Sequence, residues 1–312
     1  MILRASRLSS APAVFLSLTG LRVGAFDALV ADLLPGYAAS EQHRLQRPAR
    51  QRARGAGHPF ALAPRDQLLL TVVWLRADPT HAVLGYLFGV SDSTVTRTLA
   101  RWLPLLAAAG RDTMRLPDPG RKHRRHLDAL LADTPALAVI IDTFEQRVQR
   151  PRDHDAADAL YSGKKKQHTL KSQVAINEIT GEIVDIATSV PGPTADIALV
   201  AQSGLLARLP PGVGALGDLA YVGLGKLHPL GAAPRRKPRG QERPPADIAY
   251  NRAFARRRIP VEHTIGQLRS YHALTQTDRH HRHHHTPRVQ AVAGLVNRRL
   301  RRLVAYRERL AA

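Results

Sequence analysis

Residues 137–141 read Leu-Ala-Val-Ile-Ile, a continuous apolar run that stops at an acid, Asp142. Such a run, rich in β-branched residues and without polar alternation, predicts a strand buried on both faces. A strand of that kind needs a sheet with helices over it, which limits what the rest of the chain can be. Residues 167–177 (QHTLKSQVAIN) set Leu170, Ser172, Val174 and Ile176 on one face and predict a second strand. The turn EITGE leads to a third over 183–190, and 213–216 predicts a fourth that runs into Gly217-Asp218. A helix is expected over 196–206, another around Glu262, and a last one over 288–309. Strands one to three can form a meander, with strand four beside strand one. Residues 144–150 are expected to turn or pair back before Pro151. The class is α+β or α/β, a mixed sheet flanked by helices, preceded by an all-α region.

That all-α region has helical periodicity throughout. Residues 17–34 predict a helix that Pro35-Gly36 ends, and 43–54 read as a loosely ordered basic connector. Pro64 opens a helix over 64–76 and Asp78-Pro79 breaks it. A short helix over 80–88, a turn at Gly89 and a helix capped by Ser91 and running to about Ala109 follow. In the last helix Val95, Leu99, Trp102, Leu103 and Leu106 form one apolar stripe, leaving Ser93, Thr94, Arg97, Thr98 and Arg101 off it. Short helix, glycine turn, and a helix with Ser, Thr and Arg on its free face make a helix-turn-helix pattern, whose second helix can enter a DNA major groove. The alternative is a plain three-helix bundle with no DNA contact. The expected organisation is a helical domain over 1–110, a basic linker over 111–135 and a sheet domain over 136–312.

Charge favours the DNA-binding alternative. Lys and Arg number 46 against 25 Asp and Glu, a net +21, so a polyanion is the expected partner. No apolar run approaches the roughly 18 residues of a spanning helix, so no membrane partner is expected. The first residues weakly mimic a secretion leader, but the helical pattern continues past them. The chain has no cysteine, which excludes thiolate metal sites and a cysteine nucleophile and fits the cytoplasm. Lys164, Lys165 and Lys166 sit in a polar loop suited to phosphate contact, although the spacing of a phosphate-cradling P-loop is absent.

Between Asp247 and Asp278 the one acid is Glu262, set among Arg252, Arg256, Arg257, Arg258 and Arg269. It is either a salt-bridge hub or a carboxylate kept for another purpose, with the arginines left to serve a polyanion. The strand order favours the second. Asp142 and Asp218 would lie at neighbouring strand ends with the helix of Glu262 across them. Two Mg²⁺ ions about 3.5–4 Å apart need shared carboxylate oxygens of this kind to catalyse displacement at phosphorus.

Five segments, IIDTFEQRVQRP, YSGKKKQHTLKSQVAIN, PGPTADIAL, GDLAYVG and RRRIPVEHTIGQLR, occur in this order. Together they resemble the DDE-type transposases of bacterial insertion sequences, in the branch related to the Harbinger transposases. The resemblance spans roughly residues 17–305, including the helix-turn-helix. It implies an RNase H-like fold in which Asp142, Asp218 and Glu262 are the catalytic, metal-binding triad for Mg²⁺ or Mn²⁺, as two ions. It implies that Arg258 and Arg269, four before and seven after the glutamate, meet DNA phosphate. It also implies a nucleoid-associated protein that acts on double-stranded DNA, both element ends and target, as a dimer or higher assembly. The alternative within the family is an inactive, transposase-derived DNA-binding protein.

The sequence departs from the family at several places. Thr143 stands where glycine often follows the first Asp, Leu219-Ala220 where Lys-Gly often follows the second, and Ala255 where tyrosine often precedes the glutamate. Asp196 is expected to play a structural part at a helix start near the site. His263 is expected to be exposed or structural, and the His-rich segment 279–288 to be a solvated loop facing DNA.

Overall fold

Helices α1 (Ala5–Ser9), α2 (Pro12–Thr19), α3 (Val23–Leu45), α4 (Pro64–Ala77), α5 (His81–Phe88) and α6 (Asp92–Thr113) open the chain. This computed structural model describes residues 3–46, 60–120 and 129–311, with side chains described to residue 301. Most of the connector expected over 43–54 and the part of the linker at 121–128 lie outside the described residues. The single helix expected over 17–34 is instead two. Gly20, at φ +71°, ends α2, and Pro35 lies inside α3 without stopping it. Burial explains why: Leu29, Val30 and Leu33 before the proline and Tyr37 after it face the core, and Tyr37 stacks on Trp102 at 4.7 Å. Tertiary packing of that face outweighs the lost hydrogen bond at Pro35.

The helix-turn-helix forms as expected. Thr80 caps α5, Gly89 at φ +65° turns the chain, and the Ser91 hydroxyl accepts from the Thr94 amide at 3.3 Å to start α6. A β-carbon at Gly85 would lie 2.6 Å from the Val90 carbonyl, so the turn also depends on that glycine.

The second part holds β1 (Ala138–Arg147), α7 (His154–Leu160), β2 (Tyr161–Ser162), β3 (Gln167–Asn177), β4 (Ile183–Ile186) and β5 (Val190–Pro191). After them come α8 (Asp196–Gln202), α9 (Leu205–Arg208), β6 (Gly214–Leu216), α10 (Leu224–Leu227), β7 (Gly231–Ala232), α11 (Pro245–Arg269) and α12 (His285–Ala311). Strand β1 does not end at Asp142, and 144–147 do not turn back. It continues to Arg147, held antiparallel to β3 from Val139↔Asn177 to Arg147↔Thr169. Past Asp142, Phe144 and Gln146 stay buried while Thr143 and Glu145 are partly open, so the strand persists with one wetter face.

Strand β3 pairs with β1 along one edge and with β2, β4 and β5 along the other, all antiparallel. On the far side of β1, β6 runs parallel to it and β7 parallel to β6. This mixed order fits the RNase H-like sheet that the resemblance implies. Ala138, Ile140, Phe144, Val174 and Ile176 face one layer, built from α11, α12 and the N-terminal helices. Val139, Ile141, Ala175 and Val184 face the other, with Val200, Leu205, Tyr221 and Leu224. Among the described residues no single helix is long and apolar enough to cross a membrane.

Candidate active site

The parallel pairing of β1 with β6 brings two acids together. Its last aligned pair is Ile140↔Leu216, and Asp142 and Asp218 each follow two residues later. Asp218 ends its strand by accepting the Ala220 amide at 2.9 Å, which folds 219–221 into a tight turn. Gly217 is required there, because a β-carbon would meet the Tyr221 ring at 2.4 Å. Helix α11 crosses the same face and carries Arg258 and Glu262 together, since Pro260 does not interrupt it.

Asp142 is held from two sides. Its Oδ1 accepts the Thr143 amide at 2.7 Å and its Oδ2 accepts Arg258 Nη2 at 2.9 Å. The same guanidinium nitrogen lies 3.6 Å from Glu262 Oε1. The Asp142 carboxyl is raised to about 6, first by burial and then by Asp218 and Glu262, against the lowering effect of Arg258 and the Thr143 amide. Three carboxylates are thus close enough to feel one another. Glu262 is 63% exposed, so the group opens to solvent on the α11 side. Among the described residues, no three His, Asp or Glu side chains converge tightly enough to hold an ion as they stand.

The residues around the acids form a polar floor. Lys171, nearly buried on β3, donates to Asp196 at 2.7 Å and to the Thr194 carbonyl at 2.5 Å. Thr143 donates its hydroxyl to the same Asp196 at 3.2 Å, so the threonine in the place of glycine ties β1 to the start of α8. Asp196 therefore has the structural setting expected of it. Tyr221 is fully buried and its hydroxyl has no hydrogen-bond partner among the described residues. Burial first, then Asp196, Asp142 and Asp218, hold that phenol far above its ordinary range. Tyr221 lies within the segment GDLAYVG, and only the fold sets it beside the acids.

The basic residues divide. Lys164, Lys165 and Lys166 are exposed on the turn between β2 and β3, with Lys166 at φ +51°. Arg269 is exposed at the end of α11, as are Arg252, Arg256 and His263. Arg257 is not available to a polyanion. It is buried, with Nε and Nη2 on Glu178 at 2.7 and 2.6 Å, Nη1 on Thr134 at 2.6 Å and Nη2 also on the Pro135 carbonyl at 2.8 Å. On α6, Ser93 and Arg97 are exposed and joined at 3.1 Å, and Thr94 is partly exposed beside them. Arg101 pairs with Glu41 at 2.9 Å and lies over the Phe60 ring at 4.5 Å, and Thr98 is buried.

The His-rich segment is not a uniformly solvated loop. His281, Arg282, His283 and His284 are exposed, but Arg279 pairs with Asp78 at 3.2 Å and His280 packs on Trp74. His285 is buried between Gln146 at 2.9 Å and Ser189 at 2.8 Å, and Arg288 is buried against Asp278. The segment fastens α4 and α12 to the sheet, because Arg279 and His280 at its start and His285 and Arg288 at its end find partners, while 281–284 stay outside.

Residues 141–297 match the family described as DDE superfamily endonuclease, and residues 60–112 match the helix-turn-helix of DDE superfamily endonuclease. The chain belongs to the DDE superfamily endonucleases. It is 28% identical over 232 residues to the probable transposase for insertion sequence element IS702 from Microchaete diplosiphon, across 74% of this chain and 79% of that one. It is 25% identical over 214 residues to the putative nuclease HARBI1 of Rattus norvegicus and 24% to that of Homo sapiens, across 67% of this chain and 58% of each relative. The solved Mos1 transposase paired-end complex with left transposon end aligns with 86% of the chain at 11% identity and a TM-score of 0.26, a likeness too slight to inform the fold. The donors in this endonuclease's site suit a hard divalent cation, being carboxylate oxygens around Asp142, whose carboxyl stays raised by burial and by its acidic neighbours although Arg258 pairs with it.

Proposed function

We propose that this chain is a DNA transposase that binds the terminal inverted repeats of an insertion sequence, cuts at its ends and joins them to target DNA. The observation that carries the reading is the meeting of Asp142 and Asp218 at adjacent parallel strand ends beneath Glu262. Asp142, Asp218 and Glu262 would hold Mg²⁺ or Mn²⁺, as two ions, which when bound would neutralise the phosphodiester and activate the attacking oxygen.

The chain's own groups do the rest. Arg258 and Arg269 orient a phosphate along α11, and Lys164, Lys165 and Lys166 follow the backbone from the hairpin tip. The Lys171–Asp196 pair and Thr143 fix the strand that carries Asp142. Ser93, Thr94 and Arg97 face the DNA from α6, whereas Arg101 stays with Glu41. In this reading the helical part, 1–110, binds and the sheet part, 136–312, cuts. Joining two ends calls for a dimer or higher assembly.

The test is cleavage and joining with a supplied element end. Asp142→Ala, Asp218→Ala and Glu262→Ala are each expected to lower Mg²⁺-dependent cleavage by about 10²–10³-fold or more while end binding persists. Wild-type cutting by any one of the three would remove that residue from the site.

A further inference from the structure

Arg257 and Arg258 differ in how completely they are satisfied. Arg257 uses all three of its guanidinium nitrogens on buried acceptors. Arg258 is 14% exposed and, among the described residues, uses Nη2 alone, on Asp142 and towards Glu262, while its Nε is buried without a partner there. A buried N–H left unpaired is costly, so this pose is an incomplete one. The nitrogen that bridges Asp142 and Glu262 lies where a cation shared by those two oxygens would lie. As they stand, no three acidic or histidine side chains among the described residues can hold an ion. A guanidinium and a divalent cation on one carboxylate oxygen repel each other, so each weakens the other's hold there.

An arginine presents Nε and Nη2 as a parallel fork that fits two oxygens of one phosphate. Such a ligand would satisfy the nitrogen that has no partner here. Glu262 is 63% exposed, so the group is open on the side from which a DNA backbone would arrive.

We propose that Arg258 is an exchangeable counter-ion: it bridges Asp142 and Glu262 in the metal-free protein, and moves onto a DNA phosphate when a divalent cation enters. This rests on the reading of Asp142 and Glu262 as metal ligands. The consequence is coupling. DNA draws the arginine away and so strengthens metal binding, and the protein without DNA is a poor metal binder.

Mn²⁺ binding, followed by the free-ion paramagnetic resonance signal on the full chain, tests this without any turnover. Arg258→Gln is expected to bind Mn²⁺ at least about tenfold more tightly than wild type in the absence of DNA. Arg258→Lys, which keeps the charge, is expected to stay within about threefold of wild type. A short duplex of arbitrary sequence at low salt should strengthen Mn²⁺ binding by wild type and leave Arg258→Gln nearly unchanged. Asp142→Asn should bind Mn²⁺ poorly in every case.

If Arg258→Gln gains nothing while Asp142→Asn loses binding, the counter-ion role is wrong and the metal site stands. If Asp142→Asn binds as wild type does, the metal-site reading itself fails and the proposal falls with it. Equal strengthening of both proteins by the duplex overturns the exchange. Circular dichroism melting checks that each variant is folded. Should Arg258→Gln not fold, the duplex arm on wild type decides, and no strengthening there overturns the proposal.

Discussion

Arg257 and Arg258 are consecutive on α11, yet one faces the protein interior and the other the acids. Nothing in the run RRRIPVEH separates them, because a helix interrupted by proline, with arginines on several faces, has no clean periodicity to read. The partner that decides the matter, Glu178, lies at the end of β3, far away in sequence. Arg257→Ala takes from that buried carboxylate the guanidinium that both its oxygens accept from, and a loss of about 3–5 kcal/mol is expected in a denaturant titration. Replacing both residues, Arg257→Met with Glu178→Leu, is expected to cost much less. A single-substitution loss below about 1 kcal/mol would show that Arg257 is not what holds the glutamate in place. His285 gives a second expectation at this scale. Burial first, then Arg288, lowers it to about 4, and His280 behaves in the same way. Both are neutral in the fold, whereas an unfolded histidine gains its proton near 6.5. Below 6.5 the unfolded chain therefore binds more protons, and their contribution to stability is complete above 6.5 and lost as the pH falls towards 4. Asp142, raised to about 6, acts in the opposite sense between about 4 and 6 and offsets part of this. The melting temperature is expected to fall between pH 7 and pH 4.5, less steeply in His285→Gln. Equal slopes in the two proteins would mean that His285 is already protonated in the fold.

Between elements, the most telling contact is that of α6 with α12. A β-carbon on Gly110 would lie 2.1 Å from the Gln290 carbonyl, and one on Gly294 would lie 2.5 Å from the Gly110 α-carbon, so the two backbones touch there. In sequence, Gly110 looks like the end of a helix, the usual meaning of a glycine after an apolar stripe. Here α6 runs on to Thr113, and the glycine marks a crossing. The elements that local pattern specifies, α4, α5, β3 and β6, were legible almost to the residue. Those that depend on a distant partner were not: the continuation of β1 past Asp142, the passage of α3 through Pro35, and the short strand β7. Gly110→Val should force α6 and α12 apart. Overpacking of this kind is expected to destabilise by about 1–3 kcal/mol, or more because backbone is the neighbour, as read from the denaturation midpoint. Gly163→Val, where nothing lies within 4 Å, is the matched control and should have little effect.

At the scale of the whole molecule, the three acids come from a strand, a turn and a helix up to 120 positions apart. Their order relative to the strands could be read in advance because the register of a parallel pair fixes where two strands end together. Arg258 between two of them could not, since that depends on side-chain placement across the α11–β1 contact. The net charge of +21 is likewise visible in composition, while its division into committed and free cations is not. Arg101, Arg257, Arg279 and Arg288 are held by Glu41, Glu178, Asp78 and Asp278, whereas Lys164, Lys165 and Lys166 stand exposed on one turn. Salt dependence separates the two kinds. Each lysine on a duplex phosphate releases close to one counter-ion, so changing all three to alanine should reduce the slope of log K against log salt by about one per lysine. Arg101→Ala should instead lower the melting temperature and leave that slope nearly unchanged. A slope untouched by the triple substitution would detach the hairpin from the DNA path and leave α6 and α11 as its course.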